Sequence, residues 1–351
     1  MKHIIIDCER MKHKHTGLYS FCKQLATGLL TIKRPDESLH FFVPENEVGF
    51  LGNTAGYKKQ TSLQKFYLPG TAKYDLWHCT YQTSNYYPPQ NKTKVVITIH
   101  DLNFLHEGKT KDKQEKYLNN VQQKIKRADF IVANSNFVRK EVEQYLDLYN
   151  KPVTTIYSGS VTLQNVQDKK PEFINDEPFL FSVGTIARKK NFHVLPALLV
   201  KNNLKLVIAG ITQDEGYRNE IIAAAKKLGV ADRVILPGAV SEEEKYWMLK
   251  NCRLFCFPSI AEGFGLPVIE AMNYGRPCIL STFTSLPEVG GPLGFYLKSF
   301  DENYMADFAN EVLHETTLHD KTAEIVQWAA QFNWQKTADE YFEVYRKVLA
   351  G

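Results

Sequence analysis

Short apolar runs separated by amphipathic stretches recur along the whole chain, and this alternation restricts the fold more than any other feature of the sequence. Residues 4–6 and 254–257 are apolar at every position, and 95–99 nearly so, which suits strands covered on both faces. Strand-like runs in the first half fall at 3–7, 39–43, 76–78, 95–99, 130–133 and 153–156. Helical spacing opens at Gly17, with Leu18, Phe21, Leu25 and Leu29 on one stripe, and returns at 111–127 and 135–145. A polar stretch from 164 to 178 breaks the pattern. Strands at 178–183, 204–209, 233–236, 254–257 and 277–280 then alternate with helices at 191–201, 215–228, 241–250 and 266–273. Helical stretches at 301–316, 320–331 and 334–350 end the sequence. Strands alternating with helices predict parallel sheets with helices on both faces, here two doubly wound α/β domains with a linker near 160–177.

Composition agrees and excludes other classes. The 351 residues suit two domains. Nowhere do about 18 apolar residues run together, so no membrane-spanning helix is expected. An acid at Asp7, directly after three isoleucines, comes too early for the core of a signal peptide. The six cysteines are scattered and mostly lie in apolar runs, as buried, reduced thiols of a cytoplasmic protein do. Cys252 and Cys256 have no further Cys or His pair nearby to complete a zinc site, and no metal ligand set is expected. The formal net charge of +4 divides into +8 for residues 1–160 and −4 for residues 161–351. A basic half suits nucleic acid, an anionic membrane or an acidic substrate, or is uneven surface decoration.

In open parallel sheets, ligands bind beyond the carboxyl ends of the strands, where glycine loops and helix N-termini lie. The segment from Pro258 to Met272 follows an apolar strand and reads Ser-Ile-Ala-Glu262-Gly263-Phe264-Gly265-Leu266-Pro267-Val-Ile-Glu270. Its glycines permit close approach of a ligand to the backbone, and Pro267 suits the first turn of a helix. Glu262 and Glu270 are near enough along such a helix to reach one polar ligand bearing hydroxyls. An ordinary helix start with an acidic first turn has the same composition. A second strand-to-helix loop carries Gly184-Thr185-Ile186-Ala187-Arg188-Lys189-Lys190-Asn191. Three consecutive cations there can neutralise a diphosphate and stabilise it as a leaving group, and Asn191 is placed to cap the next helix. His100-Asp101 ends the strand at 95–99, and His15-Thr16-Gly17 precedes the first helix.

Glu262 and Glu270 in this setting, flanked by Phe257-Pro258-Ser259, Gly275-Arg276-Pro277 and Leu286-Pro287-Glu288, resemble the signature of the group 1 retaining glycosyltransferases, whose fold is GT-B. The resemblance is close over 160–300 and looser before it. It implies two Rossmann-like domains facing across a cleft, with residues 1–165 and 335–351 as the acceptor-side domain and 166–334 as the donor domain. The donor would meet Gly17, Thr185, Arg188, Lys189, Lys190, Gly263, Phe264, Gly265, Leu266 and Glu270. Glu262, His100 and Lys190 would be catalytic, with His100 near the donor sugar and Asp101 either orienting the His100 ring or on the acceptor side. Lys190 aligns with the family's diphosphate lysine, whereas either Arg188 or Lys189 supplies the second cation.

The implied reaction moves a hexose from a nucleotide diphosphate sugar to an acceptor hydroxyl with retention. The donor sugar is a co-substrate, so no cofactor is implied. No Asp-x-Asp pair occurs, so charge stabilisation falls to cations and a helix dipole, not a metal. Similarity of the loop at 184–191 to surface-polysaccharide mannosyltransferases suggests GDP-mannose first, and a UDP-hexose next. A saccharide or lipid-linked saccharide is the expected acceptor. The place expected is cytoplasmic; Lys109, Lys111, Lys113, Lys116, Lys124, Lys126 and Arg127 either face anionic lipid, making the protein peripheral at the inner membrane face, or form a solvated helix face, interrupted as they are by Asp112 and Glu115. Nucleic acid is not an expected partner, because Glu262 and Glu270 would repel it. A glycoside phosphorylase of similar architecture and a non-catalytic nucleotide-sugar-binding subunit are the alternatives.

Overall fold

The computed structural model describes the whole chain except His15, Gln90, Asn91, residues 161–166 and residues 315–320. It divides into two compact units, Met1–Gly159 with Phe332–Gly351, and Ser160–Gln331. The expected boundary at 165/166 and the ends of the helices expected at 301–316 and 320–331 fall outside the described residues. Residues 167–177, expected as linker, are fastened to the second unit: Lys250 Nζ donates to Asp168 at 2.7 Å, and Lys169 N donates to the Glu243 carbonyl at 3.1 Å.

The first unit is a seven-stranded sheet: β1 (Lys2–Asp7), β2 (Glu37–Val43), β3 (Gly56–Lys59), β4 (Leu76–Cys79), β5 (Lys94–Ile99), β6 (Phe130–Ala133) and β7 (Val153–Thr155). All pairings are parallel, in the order β3-β2-β1-β4-β5-β6-β7. Successive side chains of a strand point to opposite faces. Thus Ile4 and Ile6 enter one core with helix α1 (Gly17–Ile32). Ile5 enters the other with α2 (Lys111–Arg127) and α3 (Asn136–Tyr145). All three isoleucines are fully buried, each contributing about 1.5–3 kcal/mol.

The second unit has six parallel strands: β8 (Phe179–Val183), β9 (Lys205–Ala209), β10 (Val234–Gly238), β11 (Leu254–Phe257), β12 (Cys278–Ser281) and β13 (Phe295–Leu297), ordered β10-β9-β8-β11-β12-β13. Its helices are α4 (Glu215–Lys227), α5 (Glu242–Asn251), α6 (Leu266–Asn273), α7 (Leu286–Gly290), α8 (Glu302–His314) and α9 (Thr322–Ala330). Side chains start several of them. Asp214 accepts from Tyr217 N at 2.9 Å, and Ser241 and Glu244 form a reciprocal box at 3.2 and 2.9 Å.

A last helix, α10 (Trp334–Ala350), completes the first unit, where Tyr341 and Tyr345 are fully buried. Tyr345 OH bonds His78 Nδ1 at 2.7 Å, and Tyr341 OH bonds Thr98 Oγ1 at 2.8 Å.

The helix expected at 191–201 is instead a run of 3₁₀ turns, Phe192–Leu199, with Pro196 inside it. Asn191 occupies the left-handed region at φ 56° and makes no side-chain capping bond. Asparagine tolerates that conformation, so it turns the backbone without capping it. The strands β3 and β13 and the short α7 lie outside the expected pattern; four and three residues at sheet edges leave too little periodicity to read.

Candidate active site

In both sheets the strand order reverses once, between β1 and β4 and between β8 and β11, so the loops after these strands diverge and leave a crevice. The cation loop follows β8 and the acidic glycine segment follows β11. Although 72 residues separate them, Lys190 Nζ and Glu262 Oε1 form an ion pair whose side chains are 12% and 13% exposed. Backbone bonds set that register. Ile260 N and Ser259 Oγ both donate to the Lys189 carbonyl, at 2.8 and 2.9 Å. Beneath the ammonium lies the ring of Phe257, 4.7 Å from its centroid. Gly184 and Gly210, just after β8 and β9, let those two strand ends approach: a Cβ on Gly210 would stand 1.9 Å from the Gly184 carbonyl oxygen.

Glu262 is held at its backbone as well. Its N–H donates to Thr284 Oγ1 at 3.0 Å, and its carbonyl accepts from Ser285 Oγ at 3.1 Å. Thr284 sits at φ 53°, a conformation that β-branched residues rarely adopt and that gathers at functional sites. Gly265, at φ 106°, turns the chain into α6, where Leu266 and Pro267 open the helix. Phe264 is buried, and its carbonyl accepts from Ser285 Oγ at 2.9 Å.

The two glutamates do not share a lysine. Glu270 pairs with Lys245 of α5 at 3.2 Å, both side chains 14% exposed. Burial pushes the Glu270 carboxyl up against the pull of Lys245. Burial also disfavours the Lys245 charge, but Glu270 and Glu242 more than restore it, and its ammonium stays above the ordinary lysine range. Lys245 was not singled out in the sequence, because Ser-Glu-Glu-Glu-Lys reads as a solvated helix start. Arg188 turns toward α4, donating to Glu220 at 2.7 Å with its guanidinium 5.3 Å from the Tyr217 ring centre. Thr185 is exposed on the same loop, and Lys189 meets β11's loop through its carbonyl.

In the first unit, His100 directly follows β5 and is 8% exposed. Its Nε2–H donates to the Thr80 carbonyl at 2.7 Å, and Phe21 of α1 packs edge-on 4.6 Å away. Burial, with Arg10 nearby, lowers its pKa to about 4 against the Thr80 bond, leaving a neutral ring whose Nδ1 is the acceptor. The ring is oriented by Thr80; Asp101 Oδ1 accepts from Asn103 N at 3.1 Å, closing the turn after β5. Gln82 spans the pair, accepting from His100 N at 3.1 Å and donating to the Asp101 carbonyl at 3.0 Å. Gly17 opens α1 with free space where a side chain would stand, and Thr16 caps the helix by accepting from Tyr19 N at 3.2 Å; His15 is outside the described residues.

Sequence reasoning passed over Asp7. It ends β1, is 1% exposed, and accepts from Ser84 Oγ at 2.7 Å and Glu9 N at 3.0 Å. Burial, then Glu9, raises its pKa to about 8. An acid at the carboxyl end of an all-apolar strand was the available signal.

Two doubly wound parallel sheets, with an ion-paired crevice at the reversal of the second, define an α/β protein of the GT-B class. The pattern of the family described as "Glycosyl transferases group 1" matches residues 164–347, and that of "Glycosyltransferase Family 4" matches 45–161. The chain belongs to the group 1 glycosyltransferases. It is similar to the serotype-specific mannosyltransferase WbdA of Escherichia coli, 28% identical over 67% of this chain and 31% of that protein. The chain therefore spans about a third of the length of that relative. The O-antigen chain mannosyltransferase B of Escherichia coli is 24% identical over 76% of this chain and 74% of its own length. Among solved structures, Anabaena HepE in complex with UDP and glucose superposes with a TM-score of 0.76 at 17% identity, over 99% of this chain and all of that one.

Proposed function

We propose that the chain transfers a hexose from a nucleotide diphosphate sugar to a hydroxyl of a saccharide or lipid-linked saccharide in surface polysaccharide synthesis, with retention and without a metal. The observation that carries this reading is the buried Lys190–Glu262 pair at the strand reversal of the second sheet. A lysine there is poised to neutralise a diphosphate, and most so as the leaving group gains charge. Glu262 faces the sugar and Glu270 the ribose hydroxyls. Either Lys189 or Arg188, which meets Glu220 across the surface, supplies the second cation. Thr185, Gly263, Phe264, Gly265 and Leu266 line the donor, and Gly17 offers backbone at the start of α1. His100 accepts a hydrogen bond from a sugar hydroxyl through Nδ1, and Asp101 stands on the acceptor side. The departing phosphate takes the acceptor's proton, so the protein contributes position and charge, not a covalent intermediate.

GDP-mannose is the first donor choice, supported by the names of the two Escherichia coli relatives. Thermal denaturation with GDP-, UDP- and dTDP-sugars tests it, because a ligand at 100 times its dissociation constant adds about 2.7 kcal/mol. The expected result is a shift with GDP-mannose and turnover insensitive to chelator. A shift with UDP-hexoses alone would replace the donor; none with any nucleotide sugar would overturn the reading.

A further inference from the structure

Asp7 and the turn after β1, Glu9–Lys12, bring four ionisable side chains to the strand reversal of the first sheet. Three of them are accounted for. Asp7 keeps its proton, with a pKa of about 8, and Glu9, 3% exposed, pairs with Lys12 Nζ at 2.8 Å. Arg10 is left over. Its side chain is 25% exposed, and its Nε is enclosed without an acceptor. Glu9 Oε1 stands 3.8 Å from Nη1, beyond hydrogen-bond reach, and none of the described residues accepts a hydrogen bond from the guanidinium.

A guanidinium carries five N–H donors, and withdrawing them from water without acceptors is costly. Arg10 is nevertheless held in place. Its guanidinium lies 4.1 Å from the centre of the Tyr81 ring, so the contact joins the loops that follow β1 and β4, the two strands flanking the reversal. The second loop is fastened in turn. Thr80 Oγ1 donates to the Asp7 carbonyl at 2.5 Å, Ser84 Oγ to the Asp7 carboxyl at 2.7 Å, and Ser84 N to the Tyr81 carbonyl at 3.0 Å. The charge of Arg10 also reaches His100, where it helps burial to keep that ring neutral. With Lys12 cancelling Glu9 and Asp7 neutral, the group carries one uncompensated positive charge in the crevice where ligands of such sheets bind.

We propose that Arg10 anchors an oxyanion site of the first unit, separate from Lys190, that takes a substrate phosphate on the open edge of its guanidinium. A planar guanidinium fork matches two phosphate oxygens, and such charge-assisted bonds would supply the acceptors that the chain itself withholds. The choice of phosphate rests on the transferase reading, because a phosphate ester is the anion that either a nucleotide diphosphate donor or a lipid-linked acceptor brings. A saccharide phosphate would offer an oxyanion to Arg10 and a hydroxyl to His100 Nδ1 together.

The test is calorimetric titration of the full chain with inorganic pyrophosphate at constant ionic strength, in a Lys190→Ala background that removes the lysine of the second unit. Binding is expected to persist there, and adding Arg10→Gln should weaken it on the order of tenfold or more. Arg10→Lys should restore only part of it, since an ammonium supplies charge without the fork. Arg10→Gln breaks no hydrogen bond among the described residues, and an unchanged melting temperature checks that it folds. Titration with GDP and UDP, with Lys190 in place, separates the sources. An equal loss of nucleotide affinity in Arg10→Gln assigns the phosphate to the donor, and unchanged nucleotide affinity assigns it to the acceptor. The proposal is overturned if the Lys190→Ala chain does not bind pyrophosphate, or if adding Arg10→Gln leaves that binding unchanged. Arg10 would then be a solvated cation resting on Tyr81. Failure of the transferase reading leaves this result standing, because the pyrophosphate titration involves no sugar and no turnover.

Discussion

At the carboxyl ends of β8 and β11, side chains meet as charged pairs, Lys190 with Glu262 and, on the adjoining helices, Lys245 with Glu270. At the ends of β1 and β5 two buried groups are neutral instead: Asp7 keeps its proton, with a pKa of about 8, and His100 declines one, at about 4, although buried Glu9 just after β1 is ion-paired with Lys12. The sheets share one winding, so the contrast comes from loop sequence. A crevice in which Lys190 and Lys245 are each already matched to a carboxylate can rearrange to receive an anion. Neutral groups such as Asp7 and His100 suit hydroxyls, and they lose that character if either ionises.

The strongest way to break this contrast is Lys190→Ala. Transfer should fall on the order of 10²–10³-fold in kcat/KM, as when one electrostatic contact to a developing charge is removed. Activity within tenfold of wild type would mean that the second crevice does not work through charge. Next in size is Lys245→Met, which leaves Glu270 buried without its cation. Urea denaturation should show a loss of about 3 kcal/mol, and a Lys245→Met/Glu270→Met double variant should recover most of it. If the single variant is as stable as wild type, this pair is solvated and the comparison narrows to Lys190 and Glu262.

The neutral crevice is tested by pH. Asp7 has a folded pKa raised from 3.8 to about 8, so its contribution is full below the lower value and is lost as pH rises through the upper one. Asp7→Asn should therefore gain on wild type by about 1.4 kcal/mol per pH unit between those values. His100 is depressed from 6.5 to about 4, so its contribution is present above 6.5 and is lost as pH falls toward 4. His100→Gln should gain on wild type over that acid range, with the opposite sign of slope. Parallel stability curves for wild type and both variants would show that these groups titrate normally. The smallest effect belongs to Arg188→Ala. Its pair with Glu220 lies at the surface, the guanidinium side chain 65% exposed, and should cost less than about 1 kcal/mol. A loss of transfer matching that of Lys190→Ala would make Arg188 the second diphosphate ligand.

Which parts were legible in the sequence follows from burial. Strands such as β1, β5 and β11 are covered on both faces, so they read as continuous apolar runs, and the strand-end rule put Lys190, Glu262 and His100 on loops after strands, where the structure also has them. What escaped was pairing at a distance. Nothing local distinguishes Lys245, beside three glutamates, from a solvated lysine until α5 packs near α6. The direction of Arg188 depended likewise on Glu220, in a helix 32 residues further on. The 3₁₀ turns at Phe192–Leu199 were misread as helix because apolar spacing over eight residues does not separate a period of 3 from 3.6.

Helix α10 has a consequence for the order of synthesis. His78 and Thr98 find their partners Tyr345 and Tyr341 only 267 and 243 residues later, and Arg346 reaches back 309 residues to Glu37. All of Ser160–Gln331 leaves the ribosome before that helix does. At about 5–20 residues per second, the apolar side of the first sheet that α10 covers stays open for roughly 10–50 s after Thr98 is made. The unit encoded second is thus the first able to finish, and the one encoded first must wait, exposed, as a client for chaperones.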